Sequence, residues 1–361
     1  MSSIVKFPNA VTSVAKAPLL VVLIPRDQSS WCQQFSEEGY TVIQVPHSNQ
    51  EGDDLRQSLA EAGEELHDAE GWALLTYGIT PADLPSVKRF CASAEPKACV
   101  HFCPAVESPD SIVHEALDGA PTPALFHLSS KQELLHYSLE QLAETKSAGI
   151  ATSRYPPIAV YAYPLVSPSP PFPFLAGPPI DHASGKVGTI DPHLRSANNL
   201  AYTRTLELLR RELGPRFPLE KLWEKHTYYV RVLRGNTQSS QVTPPDTELI
   251  TISRTVGADR IIDEMIFKCT HTTEIDYFLP GIKPTGKPLE IALVGVVAFR
   301  GDKLTFEYWD QASLLVQLGL LNPKGLPVAG VEVARKVVDP FGLPSNTLMS
   351  KWKESEGLPI D

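Results

Sequence analysis

Apolar residues in the first half of the chain fall in short unbroken runs separated by stretches of helical period. Leu19 to Ile24 is a continuous apolar run, the pattern of a strand buried on both faces. Trp31 and Phe35 then share one side of a helix, and Gly39 leads into a second run, Tyr40 to Val45. Further strands are predicted at Trp72 to Tyr77, Ala98 to Phe102, Ala124 to Leu128 and Ile158 to Tyr163. Helices are predicted near 53–66, 82–91, 132–145 and Leu194 to Leu213. Strands alternating with helices predict a parallel, doubly wound sheet.

The second half changes period. Strands dominate at 248–256, 259–275, 289–300 and 303–309, with helical patterns only at 219–228 and near 312–319. Seven prolines between Pro164 and Pro179 form a stiff extended loop, and Gly214-Pro215 stops the preceding helix. The expected organisation is an α/β domain over 1–215, an α+β domain over 216–345 with a curved antiparallel sheet, and a tail over 346–361.

Alternation in the second half selects candidate chemistry. On 261–271 one row reads Ile261, Asp263, Met265, Phe267, Cys269 and His271. It is the more apolar row, so it is expected to line an interior and to carry Asp263 and His271 with it. Along 304–310 the row Leu304, Phe306, Tyr308 and Asp310 is apolar until its last member. A carboxylate between hydrophobic walls is desolvated, which raises its pKa toward the range useful for general acid–base work.

Charge and composition narrow the partners. A net charge of -10 argues against nucleic acid and anionic membranes, which are bound by clustered Lys and Arg. No apolar run approaches the length of a membrane span, and the run 17–25 is broken by Pro18 and Pro25, unlike a signal segment. A cytoplasmic protein is expected. The five cysteines are too few and scattered for a disulfide framework, and Cys99 and Cys103 in an apolar strand read as small buried hydrophobes. Gly281, Gly286 and Gly295 sit in turn or strand contexts, so neither a nucleotide nor a metal cofactor is expected.

Two resemblances organise these residues. Leu-Leu-Val-Val-Leu-Ile-Pro (19–25), Phe-Ser-Glu-Glu-Gly-Tyr-Thr-Val-Ile (35–43) and Tyr-Thr-Arg-Thr-Leu-Glu-Leu-Leu-Arg-Arg-Glu-Leu (202–213) resemble the dienelactone hydrolase family of α/β-hydrolases. The resemblance implies a cysteine nucleophile after the strand 71–77, where Tyr77 stands instead. It implies an acid after Leu128, where Ser129-Ser130-Lys131-Gln132 is found, and a histidine after Tyr163, where the proline loop runs. His182, further along that loop, is the nearest substitute, with a solvated loop histidine as its alternative. The expectation is a hydrolase-like scaffold without its triad.

Tyr-Phe-Leu-Pro-Gly-Ile-Lys-Pro-Thr-Gly-Lys (277–287), Glu-Tyr-Trp-Asp-Gln-Ala (307–312) and Leu-Leu-Val-Gln-Leu-Gly (314–319) resemble SnoaL-like polyketide cyclases, cofactor-free enzymes with a cone-shaped pocket. The resemblance maps their acid/base aspartate onto Asp310 and a polar cavity position onto His271. Fungal proteins joining a dienelactone hydrolase-like half to a SnoaL-like half look similar to the whole chain. The function implied is cyclase- or isomerase-type acid/base chemistry of secondary metabolism or catabolism, on a hydrophobic oxygenated small molecule. Asp263, Phe267, Tyr308 and Trp309 would line the pocket.

Each residue also has a structural alternative. Asp310 fits a helix N-cap, His271 a hydrogen-bonded core residue, and Asp263 a pair with Arg260 or Lys268. The polar segment Val230 to Gln241 is short where the resembled proteins close the wide end of the cone, which leaves the pocket open. Two other functions stay in view: a residual ester or lactone hydrolase, and a non-catalytic ligand-binding or dimerisation module whose cone pairs with a second copy.

Overall fold

The computed structural model describes residues 4–47, 55–67, 69–115, 119–147, 155–168, 180–181, 186–187, 191–232, 244–275, 278–301, 303–305, 308–324, 326, 328, 330–331 and 333–335. Of these, 110, 180–181, 186–187, 226–232, 303–305 and 308–309 are described as backbone only. The chain forms two compact units, Met1–Phe217 and Pro218–Asp361. The division falls two residues beyond the boundary placed at 215.

The first unit is a seven-stranded sheet with helices on both faces. Its strands are β1 (Val5–Phe7), β2 (Leu19–Ile24), β3 (Thr41–Pro46), β4 (Trp72–Tyr77), β5 (Ala98–Phe102), β6 (Ala124–Ser129) and β7 (Ile158–Tyr163). The order is β1-β3-β2-β4-β5-β6-β7, with β1 antiparallel to β3 and every other pair parallel. Strands β2, β4, β5 and β6 are buried almost throughout, which is why they read as unbroken apolar runs. The three-residue β1 is too short to show a period, and sequence reasoning missed it.

Helices α1 (Ser30–Glu37), α2 (Leu55–Glu64), α3 (Leu84–Ser93), α4 (Glu133–Ser147) and α5 (Pro192–Glu212) connect or follow these strands. Leu55, Leu59, Val87, Phe90, Cys91, Leu135 and Leu139 from α2, α3 and α4 share one core with Leu74, Cys99 and Phe126 of the sheet. On the other face Trp31 of α1 packs edge-on against Phe102 and against Tyr202 of α5. A small hairpin pairs β8 (Ile180–Asp181) with β9 (Lys186–Val187).

The second unit is an antiparallel sheet with α6 (Leu219–Val232) and α7 (Gln311–Leu318). Its strands are β10 (Glu248–Val256), β11 (Arg260–Thr270), β12 (Pro288–Arg300), β13 (Lys303–Thr305) and β14 (Tyr308–Trp309), in the order β10-β11-β12-β13, with β14 also on β12. The expected strand 259–275 ends at Thr270, because His271 turns into a loop whose backbone returns to Lys287. Residues 303–309 divide into two short strands. The row Ile261, Asp263, Met265, Phe267, Cys269 and His271 is buried, as alternation predicts, and Ile262 and Glu264 face out. Phe267, Cys269, Phe278, Leu279, Leu289, Ile291, Leu314 and Leu318 form a core under α7.

Candidate functional site

Asp310 follows β14 and is the N-cap of α7. Its Oδ1 accepts from the Ser313 backbone N–H at 3.1 Å and its Oδ2 from the Ser313 hydroxyl at 2.7 Å. At the other end Gly319, with φ +73, closes the helix in the left-handed conformation. The strand-to-helix junction therefore fixes the carboxylate, whatever else it does. Tyr308 and Trp309 are placed as β14 backbone, beside Val294 and Leu293. Their expected role as pocket wall lies outside the described side chains.

His271 is fully buried at the end of β11. Its Nδ1 lies 3.1 Å from the Thr285 hydroxyl and accepts from the Thr285 backbone N–H at 3.3 Å. An accepting Nδ1 places the ring proton on Nε2 of the neutral imidazole. Nε2 is buried and has no hydrogen-bond partner among the described residues. Desolvation holds the ring below its ordinary pKa near 6.5, against a weaker upward pull from Glu274, so it stays neutral around pH 7.

Asp263 is buried too, but it is fully engaged. Its Oδ1 accepts from Arg254 Nε at 2.7 Å, and its Oδ2 from Arg254 Nη2 and Trp223 Nε1, both at 2.8 Å. The partners expected for it are corrected: Arg260 pairs with Asp259 and Lys268 with Glu290. The reason is geometric. Residues an odd number apart on a strand face opposite ways, whereas Arg254 is Asp263's register partner across β10 and β11.

These groups do not converge. Eight positions separate Asp263 on β11 from His271 just past its end, roughly 27 Å along extended backbone. Leu293 pairs with Trp309 and Ile266 with Ala292, so Asp310 lies level with Ile266, between the two. Its offset from His271 is five residues, roughly 17 Å along the strand. Phe267 stands between, with its ring edge-on to Phe278 at 4.9 Å.

In the first unit the chain reverses its direction of winding between β2 and β4, and Tyr77 ends β4 there. Such a switch point is the usual ligand crevice of an open α/β sheet. Tyr77, however, donates its hydroxyl to the Pro168 carbonyl, and burial, then the neighbouring Cys103, pushes its phenol further up. Ser129 stands at the end of β6, its N–H and hydroxyl both bonded to Gln132. His182 lies outside the described residues. Cys103, expected within a strand, sits just past β5 with φ +46. That left-handed backbone is costly for a non-glycine residue, and sequence gives no sign of it. Burial pushes its thiol up to about 11 although contacts with Ser129 oppose this, so it is not poised as a thiolate.

Two further features lie away from the expected site. A groove of about 650 Å³ runs between α2 and α3, lined by Arg56, Leu59, Gly63, His67, Arg89 and Phe90 among others. On the α3 side of the sheet Cys99, His101 and His114 are buried together, and buried Cys91 lies with its Sγ 3.8 Å from His114 Nε2. Cys99, read from sequence as a small buried hydrophobe, is buried as expected but also stands beside two histidines. The Cys99-x-His101 spacing on a strand was the available signal, since it puts both on one face.

No protein-family model matches the chain, and no curated protein does. A solved structure similar to part of it is AclR, described as "a putative hydroxylase", from Streptomyces galilaeus. The two are 20% identical over 38% of this chain and 90% of AclR, with a TM-score of 0.20. A score that low carries no argument about fold or activity. What stands is the coarse architecture: an α/β unit with a mixed seven-stranded sheet, a separate antiparallel unit, and, among the described residues, no helix long and apolar enough to cross a membrane.

Proposed function

We propose that the second unit binds a hydrophobic, carbonyl-bearing small molecule, with His271 donating its Nε2–H to the carbonyl oxygen. The observation that carries this reading is the buried, unpartnered Nε2 at the edge of an aromatic core. Leaving such a donor unpaired costs about 1–3 kcal/mol, which a bound acceptor recovers. The residues at 277–287 and 307–319 that resemble SnoaL-like cyclases support the same substrate class. A naphthyl ketone whose emission reports hydrogen bonding at its carbonyl tests the idea. His271→Phe is expected to weaken binding up to about tenfold and to shift the emission toward that of an unbonded carbonyl. Equal affinity and emission in the two proteins would rule His271 out.

Acid/base turnover, of cyclase or isomerase type, with Asp310 as the proton-transfer group is a separate reading, because Asp310 and His271 stand too far apart to act on one carbonyl. Its support is the carboxylate held in one rotamer by Ser313 beside the apolar core. Asp310→Asn keeps a good N-cap, so loss of turnover with an unchanged melting temperature is expected. The first unit, hydrolase-like in its sequence pieces, offers Tyr77 and His182 in place of a triad. A residual hydrolase is the reading with least support, because the Tyr77 phenol is held protonated. Pairing of two copies is favoured by Ile250, Ile262 and Val294, which leave 38%, 38% and 45% of their surfaces exposed on the sheet. It predicts a mass that rises with concentration, and a constant monomer mass would exclude it.

A further inference from the structure

Four metal-ligating side chains meet on the α3 side of the seven-stranded sheet. Cys99 and His101 lie two apart on β5, Cys91 is near the end of α3, and His114 follows the 3-10 turn Pro109–Ser111. One ligand atom from each of Cys99, His101 and His114 lies within 4.8 Å of the others. Cys91 Sγ is 3.8 Å from His114 Nε2. A tetrahedral zinc ion, about 2.3 Å from sulfur and 2.0–2.1 Å from nitrogen, needs ligand atoms about 3.3–3.8 Å apart. Cys99, His101 and His114 stand within about an ångström of that spacing, and Cys91 reaches it at His114.

We propose that Cys91, Cys99, His101 and His114 form a buried Cys2His2 site for a zinc ion. A merely packed cluster would pair its polar atoms, and this one leaves His101 Nε2 buried without a partner. The other ring nitrogen, Nδ1, lies 2.8 Å from the Thr76 hydroxyl. Thr76 is the register partner of His101 on β4, so the sheet itself holds the ring and turns Nε2 inward as the ligand atom. Binding replaces two S–H bonds with two Zn–S bonds and releases both protons to solvent. Two thiolates against a dication leave the filled site neutral, as an apolar core requires. The same set would take other thiophilic cations, and tetrahedral geometry with two imidazoles favours zinc among the divalent ones.

The test uses the full chain, reduced and freed of metal, then titrated with zinc against a chromophoric chelator and separately with cobalt. An equimolar site is expected, and cobalt should give thiolate-to-metal charge-transfer bands with tetrahedral d–d bands. Cys91→Ala, a small change in volume, should halve the charge-transfer intensity. Thr76→Val should weaken zinc binding by about 10- to 100-fold while keeping the tetrahedral bands. If Cys99→Ala does not fold, Cys91→Ala and Thr76→Val still decide. The proposal is overturned if the folded protein, checked by circular dichroism, competes for no zinc. It is also overturned if cobalt spectra are the same in wild type and Cys91→Ala, or if a Cys91–Cys99 disulfide forms and persists in excess zinc.

Discussion

Asp263 is fully buried yet accepts three hydrogen bonds, two from the Arg254 guanidinium and one from the Trp223 indole. A bidentate guanidinium fits a carboxylate's geometry and offsets most of its desolvation. Removing Arg254 strands the charge, which typically costs 3–5 kcal/mol for a buried pair. Because Arg254 is partly solvated, Arg254→Met is expected to cost about 3 kcal/mol, read as a shift in the urea midpoint of the second unit. Arg254→Met with Asp263→Asn should recover part of that loss. Equal losses in the single and double variants would show that the charge is not the cause. At this scale sequence alternation placed Asp263 and His271 inside, while the cross-strand register chose their partners. His271 and Asp310 were legible as polar exceptions in apolar rows. Only the Cys99-x-His101 part of the Cys91–His114 cluster was, since 23 residues separate its outer members.

At the scale of elements, the turn from α1 to β3 is set by one glycine. Gly39 has φ +97, and a Cβ there would lie 2.8 Å from Pro215 Cγ and 3.2 Å from Val14 Cγ2. Beside it, buried Glu38 accepts from Arg210 at 2.6 Å and from the Tyr202 hydroxyl at 3.1 Å, tying α1 to α5. Gly39→Ala meets both a left-handed backbone and a pyrrolidine ring, so a loss of about 2 kcal/mol is expected. A chemical-denaturation midpoint equal to wild type would contradict the packing described. Helix α7 shows the complementary case: Asp310, which fits an N-cap in sequence, caps its start, and Gly319 closes its end. Strand ends were less legible. The end of β11 depends on the return of residues 285–287 to His271, a pairing that local period does not encode.

Across the first unit, a buried neutral histidine links stability to pH. His127 on β6 is bonded to the hydroxyls of Tyr163 and Thr205, stacks on Phe102, and faces Tyr161 and Arg204. Burial, then Arg204, pushes its pKa down to about 3, whereas an unfolded histidine titrates near 6.5. Below pH 6.5 the unfolded chain takes up a proton that the folded chain refuses. The contribution is therefore whole above about pH 6.5 and is lost as pH falls toward 3, a few kcal/mol in all. The urea midpoint of the first unit should fall over that window, and His127→Asn should flatten the fall by about one proton. A slope unaffected by the substitution would refute the assignment. The sequence by itself determined the alternation of buried strands and helices, the change of period near 215, and which rows face inward, because these follow from local hydrophobic spacing. Only the tertiary structure decided that Asp263 is held by Arg254, that Asp310 and His271 stand apart, and that four cysteine and histidine side chains meet. Those outcomes rest on register and on contacts between residues distant in the chain, where loop closure and packing, not local propensity, set the neighbours.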